Sequence, residues 1–516
     1  MYVKQQLVSM YGEQAVKTGG LQVVTTLDSA KQKLAETVVA NADAGLRRSG
    51  ADNTSLVAID PKTGDILAMM GSRNYFDQSR DGNVNVAVTL QQPGSAFKPI
   101  IYATGFEKGW APGSTLFDFE TNFGDAKFPY VPHNYDNKSH GPVSIRYALA
   151  NSFNIPAVKM LALVGKEEAI ATANKLGIAS LKDPEKYGLS MAIGGGDMTL
   201  TELTGAYGVF ANNGLSHAPH AITKVTQRGN TLFEASRVPQ PIFRPQTAYE
   251  INSILSDTEA RSFMFGRRGS LYVPNRTVAA KTGTSQDYRD AWTVGYIPSL
   301  VVGVWVGNND NSPMRAGSAG AMAAAPIWNS YLSQALAGTP NESFSQPDGL
   351  QVLTVDAITG KQPTEATRQT RQDVFASWQV QGQIQPASYK IYGCDGAVVG
   401  TGSTSVVRSE MPGNPNWEKP VLAWAAQNGY ATHVSDIRRP CVVPTPQVTL
   451  SAPRDSGARI TPPTPVVNTP PSSSSGGAPQ SGSDTDDFDA LRQQILDQID
   501  QQRNADRSRR LRDVVP

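Results

Sequence analysis

A serine and a lysine three residues apart, Ser95 and Lys98 in the run Pro93-Gly94-Ser95-Ala96-Phe97-Lys98-Pro99, are the residues of this chain best placed to do chemistry. On a helix that spacing puts both side chains on one face, a hydroxyl beside an amine. A serine hydroxyl becomes a nucleophile when a base takes its proton, and a lysine can be that base where burial and neighbouring cations keep it neutral. Pro99 fixes where the pair must lie: proline is tolerated in the first helical turn, whose N–H groups have no internal partners, so Ser95 belongs at the helix start. Taken alone the spacing is common, and a helix start with a surface lysine explains it as well.

Two further groups decide between those readings. Ser152-Phe153-Asn154 follows a helical pattern over 145–150, where a short turn can aim a hydroxyl and an amide into a cleft. Ser152 is then a candidate to shuttle a proton and Asn154 to hold a substrate amide. Lys281-Thr282-Gly283-Thr284 follows the strand-like run 277–280 and supplies a cation, two hydroxyls and a glycine that permits close backbone approach. An extended peptide can pair with such a strand edge. Singly, these groups read as an ordinary cap and a β-turn. In this order along one chain, the three together point to acyl transfer through a serine.

The elements that must position these residues follow from hydrophobic periodicity. From Ser55 to Met70 two β-rich runs flank Pro61-Lys62-Thr63-Gly64, which predicts an antiparallel hairpin. Between 93 and 215 apolar residues recur at helical spacing, predicting an all-helical insert. Strands return at 277–280, 291–296 and 300–306, and an apolar helix near 324–336 closes the unit. Strands on both sides of a helical insert predict an α+β fold, an antiparallel β-sheet flanked by helices, with the site in the cleft between sheet and helical subdomain. The expected organisation is a linker region at 1–50, the main domain at 51–340, a small β-rich C-terminal module at 341–450, a disordered Pro/Ser linker at 451–484 and an amphipathic helical tail at 485–516.

Composition narrows the partners. Lys+Arg 46 against Asp+Glu 45 leave a net charge of +1, which argues against nucleic acid. No run of about 18 apolar residues marks a membrane span, and no basic stretch before an apolar run marks a signal peptide. The two cysteines, Cys394 and Cys441, lie outside the chemical motifs and form either one disulfide or two buried thiols. His217 and His220 flank a proline without cysteines or carboxylates nearby, and Gly307-Asn308-Asn309-Asp310-Asn311-Ser312 lacks the closing glutamate of a calcium loop. Neither a metal nor a cofactor is expected.

The set Ser-x-x-Lys, Ser-x-Asn, Lys-Thr-Gly is that of penicillin-binding proteins and serine β-lactamases. Over about residues 20–340, the runs beginning at Gln92, Gly194, Phe210, Lys281 and Asp290 resemble the transpeptidase domain of class A penicillin-binding proteins. The run Gly20 to Asp28 resembles the segment that in that family joins an upstream membrane-anchored glycosyltransferase domain to the transpeptidase. Neither that domain nor its anchor is in this sequence, so glycan polymerisation is not expected of it. The resemblance implies that Ser95 attacks the penultimate D-alanine of a peptidoglycan stem peptide, releases the terminal D-alanine and passes the acyl group to an amine. Lys98 would accept the serine proton, Ser152 relay a proton to the leaving amine, and Lys281 attract the substrate carboxylate. Thr282 and Thr284 would bind that carboxylate, Gly283 allow close approach, and Asn154 contact the donor amide. Backbone N–H groups of Ser95 and Thr284 would form the oxyanion hole.

The resemblance also implies β-lactam antibiotics as acylating ligands, other cell-wall synthesis proteins as partners and a place at the outer face of the bacterial cytoplasmic membrane. Alternatives are a D,D-carboxypeptidase, in which water replaces the amine, and a penicillin-binding sensor without turnover. Ser95, Lys98, Ser152 and Lys281 together weigh against the sensor, and no residue that would activate water for a β-lactamase stands out.

Overall fold

The computed structural model describes residues 1–125 and 127–439. The expected linker at 451–484, the expected tail at 485–516 and Cys441 lie outside the described residues. Cys394 is exposed, which removes the alternative of a buried thiol there.

In chain order the first elements are helices α1 (Tyr2–Tyr11) and α2 (Glu13–Thr18), strand β1 (Leu21–Thr25), helices α3 (Ser29–Asn41) and α4 (Asp43–Ser49), and the hairpin β2 (Asn53–Ile59) and β3 (Ile66–Met70). Next come α5 (Lys98–Glu107), β4 (Thr115–Asp118), β5 (Gly141–Ser144), α6 (Ile145–Ala150), α7 (Asn154–Val164), α8 (Lys166–Lys175) and α9 (Leu200–Ala211). Short strands β6 (Leu215–Ser216), β7 (Ile222–Gln227), β8 (Asn230–Glu234) and β9 (Gln240–Pro241) precede helices α10 (Pro245–Leu255) and α11 (Ser262–Phe265). Strands β10 (Ala279–Thr284), β11 (Asp290–Ile297) and β12 (Leu300–Gly307) then lead to α12 (Gly320–Ala335). The remainder comprises β13 (Leu350–Asp356), β14 (Thr370–Ala376), α13 (Ser377–Gln383), β15 (Ala387–Tyr392), β16 (Val398–Thr404), α14 (Pro415–Gln427) and β17 (Ile437–Arg438).

The central sheet has the order β10-β11-β12-β2-β3, and every neighbouring pair is antiparallel. Strands β2, β11 and β12 are buried along their whole length. Both faces of the sheet are covered, and that explains why Leu300 to Val306 reads as a continuous apolar run instead of an alternating one. Val57, Ile59, Trp292, Val294, Tyr296, Val301 and Trp305 share one core with residues of α5, α7 and α9. Leu56, Ala58, Ala291, Val302, Val304 and Val306 share the other with α3 and α12. Side chains two apart on a strand face the same way, so each strand feeds both cores. Each large side chain buried here contributes about 1.5–3 kcal/mol.

In α5 every residue except Glu107 is buried, which marks it as the interior helix of the helical subdomain. Helix α9 begins with a capping box in which Thr199 and Glu202 satisfy each other's backbone N–H groups. The insert is not all helical: β4 and β5 form a two-stranded hairpin inside it, in register Thr115↔Ser144 to Asp118↔Gly141. Each strand is four residues long, too short to carry a helical repeat, and Gly141-Pro142 disfavours a helix.

Residues 1–50, read from sequence as a linker region, are built into the same compact unit. Strand β1 pairs with β7 in a second sheet of order β1-β7-β8, and Asp28 caps α3 by accepting from the N–H groups of Ala30 and Lys31. Residues 341–389 and 402–435 also belong to this unit. Arg146, in α6, donates to Asp373 of β14 at 2.9 and 2.6 Å, and the buried pair Lys159 and Glu410 is 3.0 Å apart. A second unit contains residues 390–401 and 436–439 among the described residues, with Ile391 and Tyr392 pairing in parallel with Ile437 and Arg438.

Candidate active site

Ser95 lies in a single 3₁₀ turn, Gly94–Phe97, that runs directly into α5 at Lys98, with Pro99 inside its first turn. Ser95 is half-buried and Lys98 is completely buried. Three glycines let separate backbones meet here. A Cβ on Gly94 would stand 2.2 Å from the Thr284 carbonyl oxygen, one on Gly194 2.2 Å from Gly94 Cα, and one on Gly283 2.0 Å from the Pro93 carbonyl oxygen. Gly94 also has φ +55, a conformation that other residues avoid. The serine turn is therefore pressed against the end of β10. Gly283→Ala should force these segments apart, lowering thermal stability by about 1–3 kcal/mol and slowing acylation at Ser95, measurable by thermal melting and adduct formation.

Ser152 ends α6 through a Schellman arrangement: its own N–H donates to the Leu149 carbonyl at 3.1 Å and the Phe153 N–H to that of Ala148 at 3.0 Å. The motif needs a left-handed residue, and Ser152 takes it at φ 62, where glycine or asparagine is usual. That strain makes Ser152 a candidate functional position. Its hydroxyl lies between two amines, accepting from Lys281 Nζ at 2.7 Å, with Lys98 Nζ at 3.5 Å. Lys98 Nζ also donates to the carbonyls of Ser152 and Phe153 at 2.6 and 3.1 Å and to Asn154 Oδ1 at 2.7 Å. The Ser152 turn thus gathers both lysines and Asn154 around one hydroxyl.

Burial, then the charge of Lys281, holds Lys98 well below the ordinary lysine range, opposed by the charge of Asp118. Burial alone brings Lys281 down to about 7. Both shifts favour the free amine, the form in which Lys98 can take a proton.

Strand β10 is the outer strand of the sheet, so one side of its backbone is unpaired within it. Lys281 reaches the Ser152 hydroxyl, and Gly283 packs against Pro93 and Ala96 of the serine turn. Thr282 is buried, and Thr284 Oγ1 accepts from the Gly320 N–H at the start of α12 at 3.0 Å. The hydroxyl of Thr284 is thus partly engaged by the fold. After β10 the chain turns through Asp287 and Tyr288, both left-handed at φ 58 and 56, and buried Asp290 holds the turn by accepting from Ser285 Oγ and Trp305 Nε1, each at 2.8 Å. The hydroxyl of Tyr288 lies 3.2 Å from that of Tyr135, whose loop contacts Asn154 through His133 and Asn134.

Asp118, Asn134 and His140, which support Asn154 from behind, were not foreseen. Their one trace in the sequence is the crowding of Asn, Asp and His over 133–140, in a loop without periodicity.

Known proteins resemble this chain in sequence and in fold. The profile of the family described as penicillin binding protein transpeptidase domain matches residues 54–332. The chain is 37% identical over 298 residues to penicillin-binding protein 1A of Aquifex aeolicus, covering 57% of this chain and 39% of that protein. It is 30% identical over 355 residues to penicillin-binding protein 2D of Bacillus subtilis, covering 67% and 49% respectively. The chain therefore spans less than half the length of these relatives. Among solved structures, penicillin-binding protein 1A from Haemophilus influenzae superposes with a TM-score of 0.63 at 22% identity, covering 75% of this chain and 76% of that one, a likeness of fold. PonA1 from Mycobacterium tuberculosis in complex with penicillin V gives 0.57 at 27% identity, covering 67% and 94%.

Proposed function

Since the chain belongs to the penicillin-binding protein transpeptidase domain family, we propose that it cross-links peptidoglycan as a D,D-transpeptidase through an acyl-enzyme on Ser95. The observation that carries this reading is the Ser152 hydroxyl held between Lys281 and Lys98, with Ser95 one turn before a lysine that burial pushes well below its ordinary range.

The Ser95 hydroxyl attacks the carbonyl carbon of the penultimate D-alanine of a stem peptide, and its proton passes to Lys98. The oxyanion is met by the N–H groups of Ser95 and Thr284, brought together by Gly94 and Gly283. Collapse breaks the C–N bond, and the departing D-alanine amine takes a proton from Ser152, which Lys98 replenishes. The same groups run in reverse for the second half: an acceptor amine attacks the Ser95 ester, gives up a proton and frees the serine. Lys281 supplies positive charge for the terminal carboxylate and orients Ser152; Thr282 and Thr284 bind that carboxylate and Asn154 the donor amide, with the free edge of β10 as the template for the donor peptide. Penicillins acylate Ser95 because the lactam is attacked as the D-Ala-D-Ala amide is.

Stem peptides and β-lactams are then the ligands, other cell-wall synthesis proteins the partners, and the outer face of the cytoplasmic membrane the place of action. No helix among the described residues is long and apolar enough to cross a membrane. The test is turnover of a D-Ala-D-Ala peptide or thioester with an added amine. Released D-alanine together with amide product is the expected outcome. Release with hydrolysis alone would make the protein a carboxypeptidase, and one acylation without turnover would make it a sensor.

A further inference from the structure

Behind the Ser152-Phe153-Asn154 turn lies a polar cluster that none of these steps uses. Asp118, the last residue of β4, is completely buried. Asn134 Nδ2 donates to its two oxygens at 2.9 and 2.7 Å, and His140 reaches it through the backbone N–H at 3.0 Å and through Nδ1 at 2.6 Å. His140 Nε2 lies 3.0 Å from the Asp136 carboxylate, and the imidazole stacks flat on Phe153 with centroids 4.0 Å apart. Asn134 turns its carbonyl the other way, accepting from the N–H groups of Asn154 at 2.7 Å and Ile155 at 3.3 Å. It thereby caps α7, whose own N-cap residue Phe153 provides no capping side chain. The His133 carbonyl accepts from Asn154 Nδ2 at 2.8 Å, which directs Asn154 Oδ1 onto Lys98 Nζ.

We propose that Asp118, Asn134 and His140 are positioning residues of the acyl-transfer site: Asn134 holds Asn154 against Lys98, and the Asp118 carboxylate, with His140 as its counter-ion, sets how readily Lys98 takes the serine proton. The inference rests on the reading of Lys98 as the base. Asp118 is the anion whose field favours the Lys98 ammonium against burial and the charge of Lys281. His140 faces Asp118 from β4, Asp136 from its own loop and, through Phe153 and Phe263, the ring of Tyr147 from α6. Burial opposes its imidazolium, but the hydrogen bond to Asp118 and the charges of both carboxylates outweigh it and hold His140 above the ordinary histidine value. With both ring nitrogens against carboxylates the geometry favours the imidazolium, whose charge offsets part of the Asp118 field.

The two substitutions therefore act in opposite directions. His140→Gln leaves the Asp118 charge less compensated, so Lys98 holds its proton to higher pH; Asp118→Asn removes the charge, so Lys98 gives it up at lower pH. The experiment is the rate of penicillin acylation of the full chain as a function of pH. The acidic limb should move up by about 0.5–1 pH unit in His140→Gln and down by a similar amount in Asp118→Asn, the scale of one charge acting through a few ångströms of protein. A merely structural role lowers the rate without moving the limb, so limbs that superimpose on wild type after scaling overturn the proposal. Should Asp118→Asn fail to fold, His140→Gln decides alone by the same two outcomes. Lys98→Ala separates the levels: if it acylates with the wild-type limb, the base assignment is wrong, whereas if it is inert and the His140→Gln limb stays in place, the positioning inference alone is wrong.

Discussion

Ser95→Ala is expected to abolish covalent labelling by penicillin and to reduce turnover of a D-Ala-D-Ala substrate by at least about 10⁴-fold, the order of loss when a covalent nucleophile is removed. Nothing else in the site substitutes for it. Ser152 also carries a hydroxyl between amines, but its oxygen accepts from Lys281 at 2.7 Å, and the Schellman turn fixes its backbone. Ser95→Ala removes a single oxygen from a half-buried side chain, so it adds no volume and leaves the glycine contacts of the turn intact. A variant that melts like wild type yet takes no label is the expected pair of observations; residual labelling at another residue would place the nucleophile elsewhere.

Lys98→Arg is expected to fold poorly or not to acylate, with a loss of about 10²–10⁴ where it folds, the usual contribution of a positioned general base. Arginine keeps its proton at any pH a protein survives, so it cannot accept one from Ser95. The site has four oxygens near Nζ, which suits a compact amine, and no room for a planar fork in a completely buried position. The pH dependence follows with its sign. Wild-type acylation falls as pH drops and Lys98 takes up a proton. Binding of a carboxylate substrate weakens as pH rises past the Lys281 value of about 7 and that charge is lost. Both amines contact the Ser152 hydroxyl, so the two limbs of a kcat/KM profile belong to the pair and not to either lysine alone.

The hairpin over 55–70 and the strands of the Lys-Thr-Gly half were legible because continuous apolar runs bounded by turn residues leave few alternatives. Pro99 located Ser95 at a helix start for a steric reason that the structure bears out, although the serine occupies a 3₁₀ turn and α5 begins at Lys98. The β4 and β5 hairpin escaped because four-residue strands carry no measurable period, and the pairing of β1 with β7 escaped because the two are some 200 residues apart along the chain, a contact that no local pattern announces. In the site, spacing brought forward Ser95, Lys98, Ser152, Asn154 and Lys281. The cluster at Asp118, Asn134 and His140 depends on a loop folding back onto α7, which no local pattern in the sequence announces.

The most direct measurement is the intact mass of the chain with and without a penicillin, followed by peptide mapping of the adduct. The expected result is one stable adduct located on Ser95. An adduct on any other residue, no adduct at all, or one cleared within seconds would contradict the assignment, the last by making the protein a β-lactamase.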